Sequence, residues 1–263
     1  MKELSVLSAH LDYVFLVFIR VSGMLMGSPV FGRKNVPSAA KIGFCAVLTA
    51  VFILCMPEPA AYPAYRTLLE YAVICLTELL FGVAMGFVLT VMFSIAMTAG
   101  SLIDYQTGFS MASIYDAQSN AQAPLSGSLL NIMLLLSFFL MDGHLRLIEI
   151  LYGTFEAIPA GTAMAAPGIV RAAAEVMSRA FVIAVMMALP VLAAGFMTEV
   201  ALGIMIRTVP QMNMFVVGIP LKIIIGLLAA ILTLAVFADC TRGIFTTAFD
   251  YIGVMFNDLK GIP

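Results

Sequence analysis

Residues 68 to 99 read LLEYAVICLTELLFGVAMGFVLTVMFSIAMTA, and in this stretch only Glu70 and Glu78 carry charge. A helix over the whole run would be about 48 Å long at 1.5 Å per residue, against a hydrocarbon core of about 30 Å. The run therefore tilts strongly or carries one end out of the bilayer. Gly82 and Gly86, four residues apart in GVAMG, leave room for another helix backbone to approach closely.

The chain around it has the same character. Of 263 residues, 62% are hydrophobic and 11% are charged, against about 25% charged in soluble domains; mean hydropathy is +1.08. This is the composition of an all-α, polytopic membrane protein, with room for roughly five to seven spans of about 20 residues. Six hydrophobic helices with re-entrant or kinked segments are expected. The opening MKELSVLSAHLDYVFLVFIRVSG has acids before its apolar run and no small-residue cleavage site, so it reads as a first span rather than a removed signal peptide.

Besides 68–99, apolar runs cover Tyr13–Val30, Ala39–Met56, Leu129–Met141, Ala180–Ile206 and Leu221–Ala238. The Leu129–Met141 run is short for a span and ends in DGHLR, where Asp142 and His144 suit a helix break at the membrane edge. Pro190 and Glu199 fall inside the next run. Residues 212–219, MNMFVVGI, lie between Pro210 and Pro220; eight residues cannot cross a bilayer, and a re-entrant turn or packed loop is expected there. Residues 104–124, DYQTGFSMASIYDAQSNAQAP, form a polar stretch with no Lys or Arg, too long for an ordinary helix–helix turn.

Net charge is −2 without a basic cluster, which gives no sign of nucleic-acid binding. Arg33, Lys34 and Lys41, and again Arg207 and Lys222, flank connections on one side of six alternating spans, while Arg146, Arg171 and Arg179 lie on the other. Orientation is therefore weakly determined. Cys45, Cys55, Cys75 and Cys240 match neither a zinc site nor a disulfide framework and read as small buried hydrophobes. No HExxH, GxSxG or GxGD occurs, so metalloprotease and intramembrane-protease chemistry lack their parts, and no cofactor is expected.

Arg20, Lys41, Glu70, Glu78, Glu199 and Lys222 lie within or at the ends of apolar runs. A charge at the bilayer centre costs at least about 3 kcal/mol on insertion scales. Three readings stand open: ion pairs between helices or with partner subunits, snorkelling of Arg and Lys to the interface, and an ion relay.

Three segments carry a family resemblance: RVSGMLMGSPVFGRKNVPSAAKIG (20–43), AGSLIDYQTGFSMASIYDAQSNAQAP (99–124) and, the most specific, VPQMNMFVVGIPLKIIIGL (209–227). Together, and in order along essentially the whole chain, they resemble the FliR family of flagellar export-gate proteins, whose virulence counterpart is the SctT family of type III secretion injectisomes. The resemblance implies a non-enzymatic subunit of the flagellar export gate in the bacterial inner membrane, within the flagellar basal body. One such subunit joins five FliP-like and four FliQ-like subunits, with an FlhB-like protein, around the path of unfolded exported proteins. Residues 1–175 would form a FliP-like helical region and 176–263 a FliQ-like helical hairpin with a tail. The loop at 104–124 would plug the pore, with Gly108, Phe109, Ser110, Met111, Ile114, Asp116 and Pro124 carrying that role.

The residues suit such a plug. A closed gate blocks water and ions yet lets an extended chain pass, so its loop should be movable, lightly charged and fitted with apolar knobs, here Phe109, Met111 and Ile114. Gly108 supplies backbone freedom and Pro124 ends the loop. In the third segment Pro210 and Pro220 would set the bend before the last helix. Gln211 and Asn213 would bond free backbone groups there, and Phe215, Gly218 and Lys222 complete the motif. VPQMNMFVVGIPLK favours the flagellar over the injectisome branch. The contrasting reading is a stand-alone secondary transporter relaying ions through Glu78, Glu199 and Lys222, but the paired broken helices of such transporters are not matched between the two halves.

Overall fold

The computed structural model describes residues 11–33, 35–56, 62–63, 65–110, 124–162, 168–209 and 214–259. These form seven helices and, among the described residues, no strand: α1 Leu11–Gly27, α2 Ser38–Cys55, α3 Leu68–Thr107, α4 Leu125–Leu140, α5 Gly143–Ala157, α6 Gly168–Thr208 and α7 Met214–Leu259. Helix is the expected outcome for such apolar sequence, because only an internally bonded backbone satisfies its N–H and C=O groups in lipid. Among the described residues, four helices are long and apolar enough to cross a membrane: Ser38–Cys55, Leu68–Thr107, Val170–Thr208 and Val216–Leu234. The broken pair α4 and α5 makes a fifth if counted as one span. The chain is all-α and polytopic.

Two compact units arise. The first comprises residues 1–92, 142–176 and 247–263, the second 93–141 and 177–246. The three longest helices, α3, α6 and α7, contribute residues to both. In the first unit the core is built on α1, whose Leu16, Val17, Val21 and Met24 are at most 1% exposed, with Phe81, Met85, Leu89 and Met92 of α3 and Leu147 and Leu151 of α5. Phe52 of α2 meets Tyr152 and Phe155 edge-on at 5.7 and 6.0 Å, in the geometry that aromatic quadrupoles favour. In the second unit Phe93, Phe138 and Phe245 form a mutual cluster with centroids 5.2 to 5.8 Å apart. Met85 and Met92 are plain core side chains.

Local sequence explains the element ends. α3 begins at a reciprocal cap in Thr67-Leu68-Leu69-Glu70: Glu70 donates its N–H to Thr67 Oγ1 (3.3 Å), and its carboxylate accepts the Arg66 N–H (2.6 Å). Between α4 and α5, Asp142 adopts φ 53, ψ 27, a left-handed conformation that Asp tolerates better than most residues. Its carbonyl accepts the Leu145 and Arg146 N–H groups at 2.9 and 3.0 Å, so the DGH break is a fresh helix start.

Two expectations need correction. Met214–Ile219 is not a re-entrant turn but the first part of α7, which continues through Pro220. Proline's fixed φ suits a helix, and in a membrane the lost hydrogen bond is tolerated because neighbouring groups or a local adjustment of the helix satisfy the freed carbonyl. Pro220 therefore lies inside a helix and not at the bend. The second concerns Asp104–Thr107, which are the last turn of α3 and not loop. The cysteine reading holds only in part, since Cys45 is buried and Cys55 exposed.

Candidate functional site

Arg20 and Glu78, fifty-eight residues apart, meet inside the first unit with both side chains 0% exposed. Arg20 Nε donates to Glu78 Oε2 at 2.6 Å and a terminal nitrogen to Oε1 at 3.0 Å, a bidentate fork. Its other terminal nitrogen donates to the Ile158 carbonyl (2.8 Å) and the Thr154 carbonyl (3.3 Å). The guanidinium lies 4.8 Å from the Phe81 ring centroid and 4.4 Å from that of Phe155, within cation–π range. Glu78 Oε1 also accepts the Gly161 N–H at 2.7 Å. Gly161 stands at φ 90 against Pro63, a conformation only glycine adopts without strain. One ion pair thus ties α1, α3, α5 and the turn after α5 together.

Small residues let α1 and α3 come close enough for that pair. Gly23 and Gly27 of α1 repeat the four-residue spacing of Gly82 and Gly86. A Cβ on Gly82 would stand 2.3 Å from the Arg20 carbonyl oxygen, and one on Gly86 2.8 Å from the carbonyl oxygen of Met24. The approach predicted for GVAMG is realised, and its partner motif is GMLMG. Nearby, the Tyr65 hydroxyl donates to the Asp12 carboxylate, and that bond raises the pKa of Tyr65 above its ordinary value.

The remaining intramembrane charges have structural partners. Lys41 Nζ donates to the Gly32 carbonyl at 3.1 Å, and Glu70 is the α3 cap described above. In the second unit Lys222 Nζ lies 2.5 Å from Glu199 Oε1, and Gln106 Nε2 donates to the same oxygen at 3.4 Å. Each of Glu78 and Glu199 therefore has its own cation, which favours the ion-pair reading over a relay. Among the described residues no group of three metal-binding side chains occurs.

The second unit also holds the two ends of the polar stretch. Asp104, Gln106 and Thr107 are 4%, 5% and 2% exposed, while Tyr105 is 77% exposed. Both carboxylate oxygens of Asp104 accept the Ser126 N–H, at 3.2 and 3.1 Å. Gly100 faces Gly127 so closely that a Cβ on the former would stand 2.1 Å from the latter's N and Cα. Gly108 follows at φ 86, Phe109 and Ser110 are helical again, and Pro124 is the N-cap of α4. Phe109 borders an apolar cavity of 410 Å³, with Ile103, Leu129, Met187, Leu227 and Phe237 also in its wall. Met111, Ile114 and Asp116 lie outside the described residues, as do Pro210, Gln211 and Asn213. Phe215 is helical, Gly218 is buried and Pro220 exposed.

Sequence reasoning missed Asp104, Gln106, Gly23 and Gly27. The signal for the glycines was present in GMLMG; that for Asp104 and Gln106 was masked by their polarity.

The family model described as bacterial export proteins, family 1, matches residues 11–248. The chain belongs to this family. Among its FliR members, the flagellar biosynthetic protein FliR of Bacillus subtilis (strain 168) is 35% identical over 238 residues, covering 89% of this chain and 91% of that protein. FliR of Escherichia coli (strain K12) is 26% identical over 249 residues, 95% and 94% of the two chains. FliR of Pectobacterium carotovorum subsp. carotovorum is 27% identical over 250 residues, 94% and 93%. As a FliR-family protein with membrane-spanning helices, the chain is a membrane-embedded component of flagellar export.

Proposed function

We propose that this chain is the FliR-type subunit of the flagellar type III export gate in the bacterial inner membrane. It assembles with five FliP-like and four FliQ-like subunits beside an FlhB-like protein, and unfolded flagellar proteins pass through the resulting channel. Residues 1–175 act as the FliP-like region and 176–263 as the FliQ-like hairpin. The loop from Gly108 to Pro124 plugs the channel. The observation that carries this reading is the match to flagellar FliR proteins along nearly the whole chain. Long apolar faces support it: Val47, Val51 and Leu54 of α2 and Val216, Ile224, Leu228 and Leu232 of α7 are exposed, as subunits packed among apolar partners and lipid require.

Purification from the native membrane tests the assembly. The chain is expected to co-purify with FliP- and FliQ-like subunits, and a well-behaved monomer with substrate-coupled ion flux would overturn the gate. Deleting residues 108–118 is expected to leave the complex intact while making cells or vesicles permeable to ions; a fully tight deletion variant would remove the plug assignment. Replacing Pro210, or the buried Gly218 of α7 by a bulky residue, is expected instead to reduce the yield of assembled complex.

A further inference from the structure

We propose that Asp104, Gln106 and Thr107 are positioning residues that form a neck, holding the end of α3 against α4, α6 and α7 beside the candidate plug. The proposal takes from the gate reading only the loop's role in closing the pore.

Three of the four residues in DYQT are buried, and each faces a different helix. Asp104 reaches α4 through the Ser126 N–H. Gln106 lies against α6, where a Cβ on Gly195 would stand 2.4 Å from its Cγ, and it bonds Glu199. Thr107 lies against α7, where a Cβ on Gly226 would stand 2.3 Å from its Cγ2. Tyr105 alone points outward. Glycines at 195 and 226 let both helix backbones close directly on these side chains.

The Asp104 contact has a specific chemical purpose. Helix α4 starts at Pro124, which has no side-chain group to cap the free N–H groups of the first turn. Asp104 provides the missing acceptor from twenty-two residues upstream, and its negative charge suits the helix N-terminus. The cap therefore exists only while the two ends of the loop are together. The Gly100–Gly127 approach brings the same two segments into backbone contact one turn further from the loop.

The test uses the full chain, purified with the partners it retains, in a background with Cys45, Cys55, Cys75 and Cys240 replaced. Spin labels go on Tyr105 and Leu125, which are 77% and 68% exposed. The unaltered neck is expected to give one narrow interspin distance distribution. Asp104→Ala is expected to broaden it, with the attached-to-detached ratio falling about fivefold, the factor that loss of an N-cap produces. Asp104→Asn keeps an acceptor oxygen and is expected to restore the narrow distribution. If Asp104→Ala does not accumulate, Gln106→Ala gives the same readout through the lost α6 contact. An unchanged distribution in the alanine variant, or an asparagine variant as broad as alanine, overturns the neck. Ion leak is measured in parallel: a broadened neck in a gate that stays tight upholds the neck and removes the plug.

Discussion

Arg20→Ala is expected to deplete the chain from the membrane and to lower the thermal stability of whatever remains more than any other single replacement. The alanine leaves Glu78 fully buried with the Gly161 N–H in place of a bidentate cation. Breaking a buried pair by removing one partner costs about 3–5 kcal/mol, against a total stability of about 5–15 kcal/mol for an ordinary domain. The Ile158 carbonyl loses its donor as well, while that of Thr154 keeps the Ile158 N–H. Arg20→Lys should recover only part of the loss, because one ammonium cannot reproduce the planar fork that reaches Glu78 and both carbonyls. Removing both charges, as in Arg20→Met with Glu78→Gln, should be milder than Arg20→Ala alone, since no uncompensated ion remains. Steady-state level and thermal aggregation temperature of a tagged chain read these effects. An Arg20→Ala chain as abundant and as stable as the parent would show that the pair contributes nothing.

Gly82→Val is expected to be nearly as damaging, by a different route. The nearest atoms to an added Cβ are backbone: the Arg20 oxygen at 2.3 Å, Met24 N at 3.0 Å and Gly23 Cα at 3.1 Å. No rotamer change relieves such a clash, so α1 must move away from α3, and Arg20 moves with it. Overpacking alone costs about 1–3 kcal/mol, and here it also disturbs the ion pair. A comparison gives the sign. Gly43, exposed on α2, has nothing within 4 Å of an added Cβ, so Gly43→Ala should be neutral or stabilising by up to about 1 kcal/mol through helix propensity. Gly82→Ala should destabilise. Equal behaviour of the two alanines would contradict the close approach.

The fold was legible where local chemistry decides it. A thirty-two-residue apolar run can only be a long helix, GVAMG marks a close contact, and DGH marks a break. What remained hidden depends on partners distant in sequence. Arg20 and Glu78 each stand out as intramembrane charges, yet nothing local says that they meet across fifty-eight residues. Asp104, Gln106 and Thr107 read as loop because polarity suggests exposure; they are buried because an uncapped helix start, a carboxylate and two glycine surfaces await them. Pro220 reads as a boundary by the rules of water-exposed helices, and those rules weaken where water is absent. The family was legible from its motifs, while the candidate plug itself offers little beyond composition.

The carboxylate of Asp104 and the paired glycines at 100 and 127 join the end of α3 to the start of α4 whatever sequence lies between them. Closing a loop whose ends are already held costs only about 0.6 kcal/mol more for each doubling of its length. The frame can therefore accept inserts of different size and chemistry without being rebuilt, provided the residues on either side of the joint are kept. In the proposed gate, a short tag or a fluorogenic peptide spliced into that stretch would report from the channel.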